Sequence, residues 1–229
     1  MYLIYLFLLL FYANSSLGGN VSVSEVRDKL VEDFARSNIQ ELLNWEAPTD
    51  IRKDFPYYLT GYDNDNVSIW FIAFGHWDVR KVTDQGTAKE RQLRKYLRQM
   101  LAQMIDSSQI NSTDKEPVSE FNILMDLEGY GYNQISSPKT LGLLLWFARQ
   151  MFKAWEGMLK HGYIINSNFV FGTAWELIRP LLGPNTFKIQ VFGSSKEKWM
   201  PTVLQNFPRS AIPERYGGTK DHKPVEVYG

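Results

Sequence analysis

Hydrophobic residues along the chain occur either in short unbroken runs or in stripes with helical spacing. The runs are rich in β-branched and aromatic residues and are bounded by turn residues or glycine, which is typical of buried strands. They lie at 67–74, 121–127, 163–165 and 189–192. Between them, apolar residues recur every three to four positions, which indicates helices. This alternation of strands and helices predicts an α/β fold with parallel strands.

Two long amphipathic helices are predicted between these strands. The first begins at a capping box formed by Thr87 and Glu90, and its apolar residues share one face. The second begins at Ser137-Pro138, with proline in its first turn, and its apolar stripe continues to Leu159. The cations of the first helix lie mostly opposite its apolar face, which is typical of a solvated surface. They are Lys89, Arg91, Arg94, Lys95 and Arg98.

A shorter apolar segment follows the third predicted strand. Residues 169–182 are apolar on nearly every side, and Gly183-Pro184 ends the segment. A fully buried helix is one interpretation of this composition. The other is a helix that covers a cavity and moves as a lid over an apolar ligand. The residues alone leave both interpretations open.

The first 18 residues are typical of a secretory signal peptide. Met1 to Ala13 form an uncharged apolar run, which is shorter than the roughly 20 residues that span a bilayer as a helix. Small residues then place a cleavage site after Gly18, although the usual basic region is missing. An uncleaved anchor and a buried N-terminal segment are the alternatives. Sequons at Asn20, Asn66 and Asn111 complete the expectation of a secreted or secretory-pathway glycoprotein.

Between this leader and the first strand, the pattern predicts a short helical lobe. Ser22 and Glu25 form a capping box before an amphipathic stripe, and a second stripe ends at Pro48. The predicted organisation is a leader at 1–18, a helical lobe at 19–50, the main domain at 51–220 and a tail at 221–229.

Composition removes several classes of function. The chain has 25 basic and 25 acidic residues, so its neutral charge gives no indication of nucleic-acid binding. It has no cysteine, which excludes disulfides, thiolate metal sites and cysteine nucleophiles. It contains no G-x-S-x-G, phosphate-loop or dinucleotide motif, and its three histidines are far apart in sequence. Residues 63–66 begin like a calcium loop but lack its glycine and glutamate, so a turn is expected. The sequence therefore predicts a noncatalytic protein without a metal or cofactor.

Five motifs in a fixed order carry a family resemblance. They are Asn44-Trp45-Glu46-Ala47-Pro48, Gly61-Tyr62-Asp63 with 67–70, Asp126-Leu127-Glu128-Gly129, the stretch from Trp175 to Gly193, and Ile212 to Thr219. With these motifs, the chain from about Asn38 to Thr219 resembles the CRAL-TRIO lipid-binding domain family. Its resemblance is to the Sec-fourteen-like branch, which includes supernatant protein factor.

The resemblance implies an α/β fold in which a mixed sheet with flanking helices forms the floor of an apolar pocket covered by a gate helix. It implies binding of one lipid or isoprenoid molecule, with transient contact to a membrane surface. The gate residues would be Trp175, Ile178, Leu181 and Leu182. The pocket would be lined by Trp146, Met151, Trp155, Tyr163, Ile165, Phe169, Phe171, Ile189 and Val191.

Two departures from the family pattern bear on the ligand. Members that bind phosphatidylinositol have a Tyr-Pro-Glu triplet before the third strand, and this chain has Trp155-Glu156-Gly157. The threonine and lysine that join this headgroup site are kept as Thr186 and Lys188. The usual Asn-Ala-Pro after the third strand is Asn166-Ser167-Asn168.

The expected function is therefore carriage of a hydrophobic small molecule, either a phospholipid, a tocopherol-like molecule or another isoprenoid. A carotenoid or retinoid pigment carrier is one alternative. An interaction module without bound lipid is the other. The sequence leaves the ligand and the oligomeric state open.

Overall fold

The computed structural model describes residues 39–110, 120–169, 171–172, 175, 179 and 184–229. The chain divides into two compact units, residues 1–42 and 43–229. In the first unit the described residues are 39–42, which begin the short helix α1 (Ile39–Leu43). The predicted leader, most of the predicted helical lobe, and the sequons at Asn20 and Asn111 lie outside the described residues.

The second unit is built from one sheet and the helices that cover it. Its described helices are α2 (Thr49–Asp54), α3 (Val79–Asp84), α4 (Thr87–Ile110), α5 (Pro138–Ala154) and α6 (Lys196–Asn206). Its described strands are β1 (Tyr57–Tyr62), β2 (Ser68–Ile72), β3 (Phe121–Asp126), β4 (Leu159–Ile165), β5 (Ile189–Val191) and β6 (Glu226–Tyr228).

The sheet has the strand order β5-β4-β3-β2-β1-β6. Strands β2 to β5 run parallel, whereas β1 runs antiparallel to both β2 and β6. The mixed sheet with flanking helices is therefore confirmed. The four parallel strands are the four apolar runs of the sequence, because a central parallel strand is buried on both faces.

The sequence pattern did not indicate β1 and β6, which form one side of the sheet. Strand β1 contains Gly61, where an added Cβ would lie 2.6 Å from the Cβ of Ala211, so close packing requires glycine there. Strand β6 has three mostly exposed residues and lies in the segment assigned to a tail. Its Tyr228 ring stacks on Tyr57 at 4.9 Å between centroids, which explains why this end of the chain is ordered on the sheet.

The two faces of the sheet pack against different helices. On the first, Phe71, Leu124 and Tyr163 form a buried cluster with Trp199 and Phe207 of α6 and the turn after it, and we call this the α6 face. On the second, Trp70 donates from Nε1 to Ser107 of α4 at 3.0 Å, and Phe121 contacts Trp155 at the end of α5, so we call this the α5 face. Paired residues of parallel strands point to the same side. The α5 face therefore also carries Ile123, Gly162 and Ile189, followed by Met125, Ile164 and Val191.

Both long helices form, with one difference in length. The predicted apolar face of α4, including Leu93, Leu97 and Met100, is buried. Helix α5 begins where predicted, with Ser137 accepting a hydrogen bond from the Thr140 amide, but it ends at Ala154 rather than near Leu159. Gly157 adopts a left-handed conformation with φ of 78°, which ends the helical path and lets Leu159 begin β4. Within the described ranges, none of the helices is both long and apolar enough to cross a membrane.

Candidate hydrophobic ligand site

A continuous row of aromatic rings runs over the α5 face. Phe121 of β3 contacts Trp155 edge to face, with 6.3 Å between ring centroids. Trp155 in turn contacts Phe152 at 6.0 Å, and Phe152 contacts Trp175 at 5.9 Å. Trp175 stacks on Phe171 at 6.4 Å. The row joins the sheet, the end of α5 and the segment after β4, and apart from the half-buried Phe171 its rings are at most 8% exposed.

The sheet beneath this row is also apolar, and β4 and β5 pack closely at Gly162. Ile189 of β5 lies beside Gly162 of β4, where an added Cβ would come within 2.9 Å of the Ile189 side chain. Glycine is therefore needed for β5 to approach, and the side chains of Ile189 and Leu159 fill the space that a side chain at this position would take. Val191, one pair further along, is only half-buried.

Helix α5 presents more apolar surface than its packing uses. Leu144, Leu145 and Ala148 are half-buried, although the sequence predicts them on the core face. Leu145 and Ala148 lie seven and four residues before Phe152, so they share its stripe on the helix. This stripe extends the apolar surface beyond the aromatic row without any charged side chain.

The structure places five of the nine predicted pocket residues on or near this surface. Trp155 and Met151 are buried at the end of α5, and Phe171 belongs to the aromatic row. Ile189 and Val191 belong to the α5 face of β5.

Tyr163 and Ile165 lie on the opposite face, and this part of the prediction is corrected. Both side chains belong to the α6 cluster, where Tyr163 contacts Phe207 at 5.2 Å. The Tyr163 hydroxyl accepts a hydrogen bond from Asn206 Nδ2 at 2.5 Å. Successive strand residues point to opposite faces, so Gly162 and Ile164 are the residues of β4 on the α5 face.

Trp146 and Phe169 are corrected as well. The Trp146 ring lies beneath two cations of α4, with the guanidinium of Arg94 at 4.4 Å and that of Arg98 at 5.7 Å from its centroid. Trp146 therefore belongs to the contact between the two helices. Phe169 is 87% exposed, so it does not line an enclosed space.

Of the predicted gate residues, Trp175 is described and the others are not. Its ring is 4% exposed and lies between Phe152 and Phe171 in the aromatic row. Ile178, Leu181 and Leu182 lie outside the described residues.

The two predicted headgroup residues each have a protein partner. Thr186 is fully buried and donates from its hydroxyl to the carbonyl of Arg179 at 3.1 Å. Lys188 is partly exposed and lies 3.6 Å from the carboxylate of Glu120, the residue before β3. Lys188 therefore lies at the edge of the sheet where the parallel strands begin.

The altered triplet Asn166-Ser167-Asn168 forms a polar turn that holds the start of the segment after β4. Asn166, with φ of 56°, donates from Nδ2 to Asp126 at 2.8 Å. Ser167 donates from its hydroxyl to the carbonyl of Phe192 at 2.9 Å. Asn168 accepts from the Phe171 amide at 2.9 Å. The altered Asn-Ser-Asn triplet thus fixes the point at which the chain leaves β4.

Asp126 also joins two of the family motifs. Its second carboxylate oxygen accepts from the hydroxyl of Tyr216 at 2.6 Å, and its first accepts from the amide of Glu128 at 2.8 Å. Burial, together with the hydrogen bond to this carboxylate, raises the pKa of Tyr216 well above its ordinary value. The sequence shows Asp126 as a polar residue at the end of a strand. It does not indicate the contact with Tyr216, which lies 90 residues further along the chain.

The calcium-like segment is a turn, as expected. Asp63 accepts hydrogen bonds from the amides of Asp65 and Val67, both at 2.9 Å, and pairs with Lys160 at 2.8 Å. Burial alone would raise the pKa of Asp63, but hydrogen bonds from Lys160, Val67 and Asn122 lower it.

Asn66, the one sequon asparagine among the described residues, is exposed in this turn. In the part of the chain that the structure describes, no cluster of histidine and acidic residues is arranged to hold a metal ion.

Residues 52–218 match the family model of the CRAL/TRIO domain, and the chain belongs to this family. It is 25% identical over 216 residues to the CRAL-TRIO domain-containing protein YKL091C of Saccharomyces cerevisiae, covering 87% of this chain and 62% of that protein. It is 24% identical over 201 residues to the SEC14 cytosolic factor of Kluyveromyces lactis, covering 87% and 65%. It is 23% identical over 198 residues to that of Candida glabrata, covering 85% and 63%. The chain thus spans less than two thirds of the length of these relatives.

The fold also matches a solved structure. The crystal structure of Sfh5 superimposes with a TM-score of 0.57 at 12% sequence identity, covering 90% of this chain and 75% of that one. This likeness confirms the CRAL-TRIO fold. Domains of this family bind hydrophobic small molecules such as lipids, and they are generally transfer proteins rather than enzymes.

The relatives contradict one expectation. Two of them are named cytosolic factors, whereas the N-terminal pattern predicts a secreted or secretory-pathway protein. That prediction is wrong by this comparison. An apolar run of this length is also compatible with other arrangements, and hydrophobicity alone does not separate them.

Proposed function

We propose that this domain binds one molecule of a lipid or isoprenoid between the α5 face of the sheet and helix α5, and that it exchanges this molecule with membranes. The observation that carries the proposal is the aromatic row from Phe121 through Trp155 and Phe152 to Trp175. It provides a continuous apolar wall above the apolar α5 face of the sheet. Membership of the CRAL-TRIO family supports the same class of ligand.

The chemistry of the surface suits a ligand that is held by its apolar part. Moving an acyl chain of about sixteen carbons out of water is worth on the order of ten kcal/mol, at roughly 0.8 kcal/mol per methylene. The half-buried side chains of Leu144, Leu145 and Val191 supply apolar area that the fold leaves uncovered. Thr186 and Lys188 already have protein partners, which favours a ligand selected by shape and hydrophobicity over one selected by its headgroup.

Exchange with a membrane requires the bound molecule to leave, and we propose that the segment containing Trp175 opens for it. Trp175 is held by ring contacts with Phe152 and Phe171, which can separate without breaking a strand. Ile178, Leu181 and Leu182 follow at helical spacing and are proposed to act with it.

Native mass spectrometry of the purified full chain, followed by organic extraction, tests the proposal. We expect one hydrophobic molecule per chain and a marked loss of it in Trp175→Ala. Phe187→Ala is the matched control, because this aromatic residue is 74% exposed and lies outside the row. A fully folded chain that carries no ligand from any cell extract would contradict the proposal.

The aromatic row favours one more specific candidate, a conjugated isoprenoid such as a carotenoid or retinoid. The Phe171 and Trp175 rings are nearly parallel, and a conjugated planar molecule can stack on such ring faces. A visible or near-ultraviolet absorbance band in the purified protein, lost on extraction, would select this candidate over a phospholipid.

A further inference from the structure

Positive charge is concentrated on one helix of a chain that is neutral overall. Between Thr87 and Ile105, helix α4 carries five cations and a single carboxylate, Glu90. The carboxylate is already neutralised, because Glu90 accepts from the guanidinium of Arg94 at 2.6 Å. Lys89 pairs with Asp50 across the end of the helix. Lys89 and Arg94 are thus paired with carboxylates, and the exposed cations Arg91 and Arg98 give this side of the helix a modest positive charge.

The cations on this surface are ordered by two tryptophans. Arg91, Arg94, Lys95 and Arg98 recur at intervals of three and four, so they form one stripe along the helix. Lys95 places its ammonium 4.9 Å from the centroid of the Trp45 ring. At the other end of the stripe, Arg94 and Arg98 lie over Trp146 of α5. We call these six residues the basic surface.

An open cleft of about 450 Å³ lies at one end of the basic surface. It is lined by Trp45, Glu46, Pro48, Ala88, Arg91, Gln92 and Lys95. Arg91 and Arg98 are exposed, and within the described ranges neither forms an ion pair. Glu46 is the one carboxylate in the cleft lining, and it opposes the charge of Arg91 and Lys95.

We propose that the basic surface docks the domain on bilayers rich in anionic phospholipid, with the cleft receiving one phosphate-bearing headgroup. Clusters of lysine and arginine are attracted to the negative surface of such bilayers, and tryptophan with a cation above it suits the boundary between water and lipid. The inference rests on the proposed function, because exchange of a lipid requires the domain to meet a bilayer. A nucleic acid would be attracted by the same charge, but it gives no route for lipid exchange.

Vesicle co-sedimentation of the full chain tests the docking surface. We expect stronger binding to vesicles of phosphatidylcholine mixed with phosphatidylserine than to phosphatidylcholine alone, and weakening of that binding by salt. The double substitution Arg91→Glu with Lys95→Glu should lower the binding constant at least about tenfold. Lys196→Glu with Lys198→Glu is the matched control, since it makes the same charge change at two exposed cations of α6. The control should retain binding.

A variant that binds anionic vesicles more strongly provides a second test, because a misfolded variant would bind them less well. Glu46→Gln removes the opposing carboxylate from the cleft and should strengthen binding to the anionic vesicles by a few fold. The neutral pair Arg91→Gln with Lys95→Gln should fall between the wild type and the charge reversal.

Ligand content separates this inference from the proposed function. Native mass spectrometry should show the same bound molecule in Arg91→Glu with Lys95→Glu as in the wild type, because these residues lie on the outer side of α4. Equal loss of vesicle binding in the α6 control would overturn the inference, as would binding that ignores phosphatidylserine. Tighter binding to single-stranded RNA than to anionic vesicles would also overturn it.

Discussion

The two faces of the sheet use apolar residues in different ways. On the α6 face, Trp199, Val203 and Phe207 are at most 1% exposed, and the polar groups at its rim are paired with each other. On the α5 face, Leu144, Leu145 and Val191 remain half-buried beside a row of aromatic rings. Burial on the first face stabilises the fold. Because the α6 cluster also has half-buried apolar neighbours, including Phe192, Met200 and Leu204, the proposed ligand site on the α5 face rests on the aromatic row.

The largest effect on stability is expected from a substitution on the α6 face. Phe207→Ala removes a side chain that contacts Tyr163 in the α6 cluster and should lower the free energy of unfolding by about 3–5 kcal/mol. Denaturant unfolding measures this loss. At low denaturant, where the variant is still folded, its ligand content should equal that of the wild type. Loss of ligand from the folded variant would show that the two faces are not separate.

Substitutions on the α5 face should show the reverse pattern, with a large loss of ligand and a small loss of stability. Leu144→Gln with Leu145→Gln should reduce ligand occupancy roughly tenfold, because it removes apolar contact from the proposed wall, while stability falls by no more than about 1 kcal/mol. Leu204→Gln is the control, as a half-buried leucine on α6. It should leave the ligand in place. If the α5 pair lost several kcal/mol of stability, the face would be an ordinary core.

A smaller effect on stability is expected at the rim of the α6 face. Tyr216→Phe removes the hydroxyl that donates to Asp126 and should cost about 1 kcal/mol at neutral pH. The pKa of Tyr216 is raised by burial, so its contribution is complete below the unfolded value near 10 and is lost as the pH rises above it. The variant should therefore lose stability less steeply than the wild type at alkaline pH. Identical alkaline slopes would place the titration at other tyrosines.

The smallest effect is expected at Lys188. Its ion pair with Glu120 is partly exposed at 3.6 Å, and such pairs contribute little to stability. Lys188→Ala should therefore change neither stability nor ligand occupancy measurably. Native mass spectrometry measures the ligand content of this variant. A large loss of ligand would show that Lys188 contacts the headgroup and would require a ligand with an anionic group.

The sequence pattern predicted the parallel strands and the two long helices, because burial on both faces and helical periodicity leave clear patterns, whereas the mixed sheet was implied by the family resemblance. It did not predict β1 or β6, whose residues are ordered by pairing with distant parts of the chain. It also named Tyr163 and Ile165 as pocket residues, whereas the structure places them in the α6 cluster, because period-two alternation gives the set of residues that point together and not the side on which they lie.

The position of Trp146 was equally inaccessible to sequence. Its partners Arg94 and Arg98 are on another helix, and the rotation of α5 that brings them together depends on packing. Phe169 is exposed and lies in the turn that Asn166 and Asn168 hold through contacts with Asp126 and the Phe171 amide. The candidate site therefore required the structure, although most of its aromatic residues were recognised beforehand.

The most direct test of the central claim is photolabelling of the full chain with a phosphatidylcholine that carries a diazirine on one acyl chain. Peptide mass spectrometry then locates the labelled residues. We predict labels on the α5 face, at Leu144, Leu145, Phe152 or Trp175, and none in the α6 cluster. Labels concentrated at Tyr163 or Phe207, or scattered over the exposed surface without competition by unlabelled lipid, would contradict the account.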